Sequence, residues 1–145
     1  MQRLYYIFIA LLCSIVISCS IEPSKIEYGT DGCHYCKMTI VERTHAAQIV
    51  TNKGKDYKYD AIECLLHDIE SRDLSEISLF LVTDYLKPSS LIDATTATYL
   101  VSESIQSPMG ANLSAFSTKE NAKSYAMNVD DKIFSWEEIQ RYFSN

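Results

Sequence analysis

The residues best equipped for chemistry sit together in Asp31-Gly32-Cys33-His34-Tyr35-Cys36-Lys37-Met38. Two thiols, an imidazole and a thioether fall within six positions. Thiolates and thioethers are ligands for soft ions such as copper(I), and imidazole is a common companion. A C-x-x-C pair also serves redox exchange or half of a zinc site. Redox exchange asks for a thioredoxin-like βαβ surround, whereas this pair precedes a β-rich meander. A zinc site asks for further Cys or His at regular spacing, and the chain has no second C-x-x-C. A local disulfide is the remaining alternative.

Other soft or basic side chains lie further along. Met109 stands in Pro108-Met109-Gly110, a turn sequence in which a large apolar side chain has little packing purpose. It is therefore a ligand candidate together with Met38. His34 lies inside the cysteine pair and His45 at the start of an expected hairpin, so either imidazole is a candidate to complete a site. His67 falls on the outer side of an expected helix and reads as solvated. Cys64 lies beside Leu65 and Leu66 on the same helix and reads as a partly buried thiol. Asp31 and Cys64 are assigned to the surroundings of the site. No Ser/His/Asp arrangement or carboxylate pair stands out, and no catalytic residue is assigned. With 4 glycines in the chain, a nucleotide cradle is disfavoured.

The elements that must position these residues follow from periodicity. Thr39 to Tyr59 reads as a β-meander, with Asn52-Lys53-Gly54-Lys55 as its turn. Asp60 is the expected N-cap of a helix over Ala61 to Ser71, with Glu63 as capping-box partner. Ile77 to Thr83 is a strand, and Asp84 to Thr95, with Pro88, a connector. Strands are expected over Thr98 to Ser102, Leu113 to Ser117 and Lys132 to Phe134. Helices are expected from Ser117 or Thr118 to about Met127, and over Trp136 to Phe143 behind a Ser135 cap. The segment 59–66 parallels 134–141 in type, and Met38 precedes 47–49 much as Met109 precedes 115–117. These likenesses predict an α+β domain of two pseudo-symmetric ββα-type units, about 31–84 and 97–145.

The first residues have another purpose. Arg3 precedes an apolar, acid-free run from Leu4 to Ile17, short for a bilayer span. It reads as a signal peptide over 1–18. Val16-Ile17-Ser18-Cys19 resembles a bacterial lipobox, which implies cleavage before Cys19 and lipid on its thiol. Residues 19–30 are then a lipidated cysteine and linker, and 31–145 the functional domain. Cleavage leaves 12 basic against 19 acidic residues, a formal −7. That charge disfavours nucleic acid as a partner. Among the five cysteines, Cys33, Cys36 and Cys64 then remain, an odd number for a purely structural disulfide scheme.

These motifs together resemble the NosL family of nitrous oxide reductase accessory lipoproteins. The resemblance rests on residues 33–40, Ala46-Ala47-Gln48, residues 55–60 with Cys64-Leu65, and Pro108-Met109-Gly110 with Ala115-Phe116. It implies a membrane-anchored copper(I) chaperone facing the periplasm, on the cell or outer membrane. The client would be nitrous oxide reductase, for its copper-sulfide centre, or another copper protein. It implies a carrier and not an enzyme, and ligands drawn from the Cys33/Cys36 region, Met109 and Met38. The competing readings are a thiol-disulfide oxidoreductase using Cys33 and Cys36, and a metal-free structural lipoprotein.

Overall fold

The computed structural model describes residues 21–144. The signal peptide expected over 1–18 and the Cys19 lipidation site lie outside the described residues. β1 (Ala47–Thr51) and β2 (Asp56–Tyr59) form a hairpin, with Gly54 at φ +75° in the turn. A left-handed residue is what a tight hairpin turn needs, and glycine adopts it without a Cβ clash. Helix α1 (Ile62–Ile69) follows and buries Ile62, Leu65, Leu66 and Ile69. A short 3₁₀ turn (Leu74–Glu76) leads into β3 (Ile77–Thr83), which pairs with the other side of β1. β4 (Leu91–Asp93) adds to β3, giving the sheet order β2-β1-β3-β4.

The second half repeats this path. β5 (Thr98–Val101) pairs with β6 (Leu113–Phe116), helix α2 (Lys119–Tyr125) crosses over, and β7 (Lys132–Phe134) returns to β5. Its order, β6-β5-β7, matches β2-β1-β3 strand for strand. In each half two strands run antiparallel to the central one and hence parallel to each other. Parallel strands cannot be joined by a tight turn, so a helix spans the crossover. The fold is α+β, and each repeat is ββα with a closing strand. Helix α3 (Trp136–Phe143) ends the described chain with a full capping box between Ser135 and Glu138.

This topology corrects the internal alignment read from sequence. α1 is the counterpart of α2, not of α3, so the likeness between 59–66 and 134–141 is a shared strand–cap–helix signal. Met38 precedes β1 while Met109 lies between β5 and β6, so the two methionines are not equivalent by topology. The meander expected from Thr39 begins in earnest only at Ala47; before it Thr39 makes one bridge, to Gly32. β4 was hidden in the Pro88 connector. The expected Asp60 cap also moves: Ala61 is the N-cap of α1 and makes no side-chain cap bond. The chain enters the helix one residue later, and the Asp60 side chain is buried instead.

The halves share one core. Leu65 and Ile69 of α1, Ile49 of β1, Tyr99 of β5 and Ile139 of α3 belong to a single buried cluster. Trp136 lies between the sheets, its ring 5.6 Å from Phe80 and 6.0 Å from Tyr99. Backbone bonds continue the join: the Tyr85 N–H donates to the Ala115 carbonyl at 2.8 Å. A smaller cluster of Leu100, Ile105, Phe116 and Ala122 packs with Tyr85 and Tyr125.

His45 is part of this join. Its Nε2 lies 3.1 Å from Ser114 Oγ and its Nδ1 2.9 Å from Thr44 Oγ1. Burial holds its pKa below 6.5, with Glu42 opposing. An unfolded chain would take up a proton there that the folded one refuses. Stability is therefore full above the ordinary histidine value near 6.5 and falls as pH drops below it. We expect the urea midpoint to be lower at about pH 5 than at about pH 7.5, and His45→Gln to flatten that slope. An unchanged slope in the variant would remove His45 as its source.

Candidate metal centre

The loop before β1 is a compact, backbone-bonded knuckle. The Cys33 N–H donates to the Met38 carbonyl at 2.7 Å, and the Lys37 N–H to the Cys33 carbonyl at 3.1 Å. Closing so tight a turn puts Lys37 at φ +66°, a left-handed conformation uncommon outside glycine. The Lys37 ammonium donates to the His34 carbonyl across the same turn. The knuckle is fixed to the sheet edge, where the His34 N–H donates to the Lys58 carbonyl at 2.7 Å. Asp31 secures its start. Its Oδ2 is 2.7 Å from Lys58 Nζ and accepts the Glu27 N–H at 2.8 Å. The Lys58 hydrogen bond chiefly keeps its carboxyl below the usual range.

This knuckle meets the first turn of α1. The sulfurs of Cys33, Cys36 and Cys64 all lie within 4.8 Å of one another, and none is in a disulfide. One soft ion with bonds of roughly 2.3 Å would span sulfurs up to about 4.6 Å apart, so little adjustment separates this triad from a ligand set. Cys33 and Cys64 are buried and Cys36 is half-buried. Cys64, placed by sequence only in the surroundings, is a full member.

The three thiols are not equivalent. Cys33 is held down to about 4, first by the hydrogen bond from the Cys64 thiol, then by the Asp60 and Cys36 backbone N–H groups, against its burial. Cys64 is pushed far up by that same bond and by burial. Burial also raises Cys36. One thiolate thus sits among two protonated neighbours. Asp60 lies beside it, 2% exposed, with Oδ1 lacking a hydrogen-bond partner among the described residues. Burial raises the Asp60 carboxyl, and the nearby Cys33 charge adds to this.

The other sequence-predicted candidates surround this centre or leave it. His34 and His45 are not members of the sulfur cluster. The His34 ring packs edge-on against Tyr57 at 4.5 Å, and burial lowers its pKa, with Asp68 opposing and Lys37, Arg72 and Lys55 adding. His67, expected to be solvated, is partly covered: Tyr35 stacks on it at 5.7 Å and Phe143 meets it edge-on at 5.9 Å. Met38 is 54% exposed, two residues beyond Cys36. Met109 is 40% exposed, on a turn whose Ser107 hydroxyl donates to the buried carboxylate of Glu63, next to Cys64. Asp60 and Glu63 went unrecognised as buried acids. The available signal was two carboxylates just before Cys64, Asp60 at the edge of the otherwise apolar stretch 61–66 and Glu63 within it.

The chain is similar to known copper-binding proteins. A family model described as NosL matches residues 24–143. The copper-binding lipoprotein NosL of Stutzerimonas stutzeri is 29% identical over 130 residues, covering 84% of this chain and 68% of that protein. The crystal structure of the copper chaperone NosL from Shewanella denitrificans superposes with a TM-score of 0.71 at 22% identity, over 82% of this chain and 96% of that one. That likeness establishes the shared fold.

The burial order gives a direct test. Under native reducing conditions an alkylating reagent should label Cys36 well before Cys33 and Cys64, as read by peptide mass spectrometry. All three should react once the chain is unfolded. Equal native labelling of the three would contradict the buried triad.

Proposed function

The chain belongs to the NosL family, and from that premise we propose that it is a copper chaperone that carries copper(I) on the Cys33, Cys36 and Cys64 sulfurs with Met38 and Met109 as exchange ligands. The observation that carries this reading is the meeting of three unpaired sulfurs within 4.8 Å, two buried and one half-buried. Soft sulfur donors prefer a soft monovalent ion. A single thiolate is already prepared at Cys33, so a monocation entering there meets a compensating charge. Cys36, Met109 and Met38, in that order, are progressively easier to reach from outside than Cys33 and Cys64. Copper could then pass outward by stepwise ligand exchange, with no free ion. No bond in a substrate is made or broken, which is the behaviour of a carrier and not of an enzyme. The relatives that match are likewise named for copper binding and chaperoning.

The rest of the reading concerns address and client. Residues 1–18 act as signal peptide, Cys19 carries lipid, and 31–145 is the copper-carrying domain. Acyl chains anchor through about 0.8 kcal/mol per buried methylene. A tether of this kind raises the local concentration of the head near membrane copper sources and clients. The protein then faces the periplasm from the cell or outer membrane. Its client is nitrous oxide reductase, for the copper-sulfide centre, or another copper protein.

Anaerobic titration of the reduced protein with copper(I), against a chromophoric chelator, should give about one tightly held copper per chain. Cys33→Ser, Cys36→Ser or Cys64→Ser should each lower affinity by more than the roughly hundredfold that outer-shell changes cost. Because Cys36 and Cys64 are held protonated in the free protein, binding releases protons and affinity should rise with pH. A protein that binds no copper but cycles a disulfide in the presence of a thiol donor would favour the oxidoreductase instead.

A further inference from the structure

Ser107 is the centre of the loop that carries Met109. Its carbonyl accepts the Gly110 N–H at 3.0 Å, and its hydroxyl accepts the Asn112 N–H at 2.9 Å. Gly110 and Asn112 take left-handed backbones at φ +80° and +59°, which folds residues 107–112 into a closed turn. Such a turn is rigid within itself but needs an outside attachment to fix its direction. That attachment is Glu63: the same Ser107 hydroxyl donates to its carboxylate. Glu63 is 1% exposed, stands in the first turn of α1, and belongs to the other half of the molecule. Its Oε2 meets no well-aligned donor among the described residues. Burial raises the carboxyl's pKa, and against it the Ser107 hydroxyl and the backbone N–H groups of Ala111 and Leu113, from the same loop and its exit, lower it. A buried acid with an unsatisfied oxygen weakens a helix–loop contact relative to a well-packed apolar pair. Apolar packing therefore does not account for an acid here; what it serves is the polar groups of the second-half loop.

We infer that Glu63 is a positioning residue for the metal site: through Ser107 it holds the Pro-Met-Gly turn against α1, so that Met109 is presented to the thiols from the second repeat. The inference rests on the copper reading above. Glu63 touches no cargo and acts only through the turn. Its hydrogen bond requires an acceptor and not a charge, so glutamine can replace it while alanine cannot.

The test is a double-mutant cycle on the full chain, read by copper(I) affinity and by the copper-edge X-ray absorption sulfur count. Glu63→Ala and Met109→Ala should each weaken copper(I) binding by on the order of tenfold. The double variant should be no weaker than the worse single one, since each removes the same ligand. The sulfur count should fall in Glu63→Ala as it does in Met109→Ala. Glu63→Gln should bind within about twofold of the parent. Should Glu63→Ala fail to fold, Ser107→Ala severs the same bond from the loop side and should couple to Met109→Ala in the same way. Additive losses, an unchanged sulfur count in Glu63→Ala, or a Met109→Ala variant with parental affinity would each overturn the inference. A parent protein that binds no copper removes the copper reading itself, and this inference with it.

Discussion

Three thiols held within 4.8 Å cannot all ionise in a buried site. Like charges at that spacing repel strongly where water is excluded, so their protons leave at well-separated pKa values. The structure resolves the conflict by stabilising one thiolate, on Cys33, with a thiol hydrogen bond from Cys64 and backbone N–H groups from Asp60 and Cys36. Those donors come from three separate places: the first turn of α1, the β2–α1 junction and the knuckle itself. The charge arrangement therefore exists only when the knuckle, the sheet edge and the helix are all in register.

The scaffold achieves this register by using one local unit twice. In each half the helix crosses over the central strand because the two outer strands run parallel, and a tight turn cannot join them. In the first half this crossover delivers Cys64 and Glu63 on adjacent positions of α1. One joins the sulfurs; the other accepts a hydrogen bond from the loop of the second half. The thiols thus all come from one repeat, while the helix that carries Cys64 is bonded to the other. Trp136 and the Tyr85–Ala115 backbone bond hold the halves together at a distance from that junction.

The imidazoles show how type and place separate. His45 has the chemistry of a ligand, yet both ring nitrogens lie against hydroxyls, and the ring serves the contact between sheets. His34 sits within the cysteine pair, but its ring packs on Tyr57 beside Lys37, Lys55 and Arg72. That setting disfavours a further positive charge on the ring. In this reading the donors for copper are sulfur throughout, and the histidines shape their surroundings.

Much of this was legible in the chain. β3, β7 and α3 lie where alternation, turn residues and the Ser135 capping box put them, because those signals act over a few neighbouring residues. The cysteine pair, the Met109 turn and the family were equally visible, since each is a matter of residue type and order. Sequence could not decide that Asp60 would be buried beside a thiolate instead of capping a helix, because one residue of helix phase settles that. β4 escaped notice since three residues near a proline carry no period and become a strand only when β3 offers an edge. Cys64 is the clearest case. Its apolar neighbours marked it as a core thiol, and it is one, but the same burial places it against Cys33 and Cys36. Residue types determined that this protein could bind a soft ion; the crossing of α1 over the first sheet decided which sulfurs would meet, because contacts between residues some thirty positions apart are set by packing and not by local spacing.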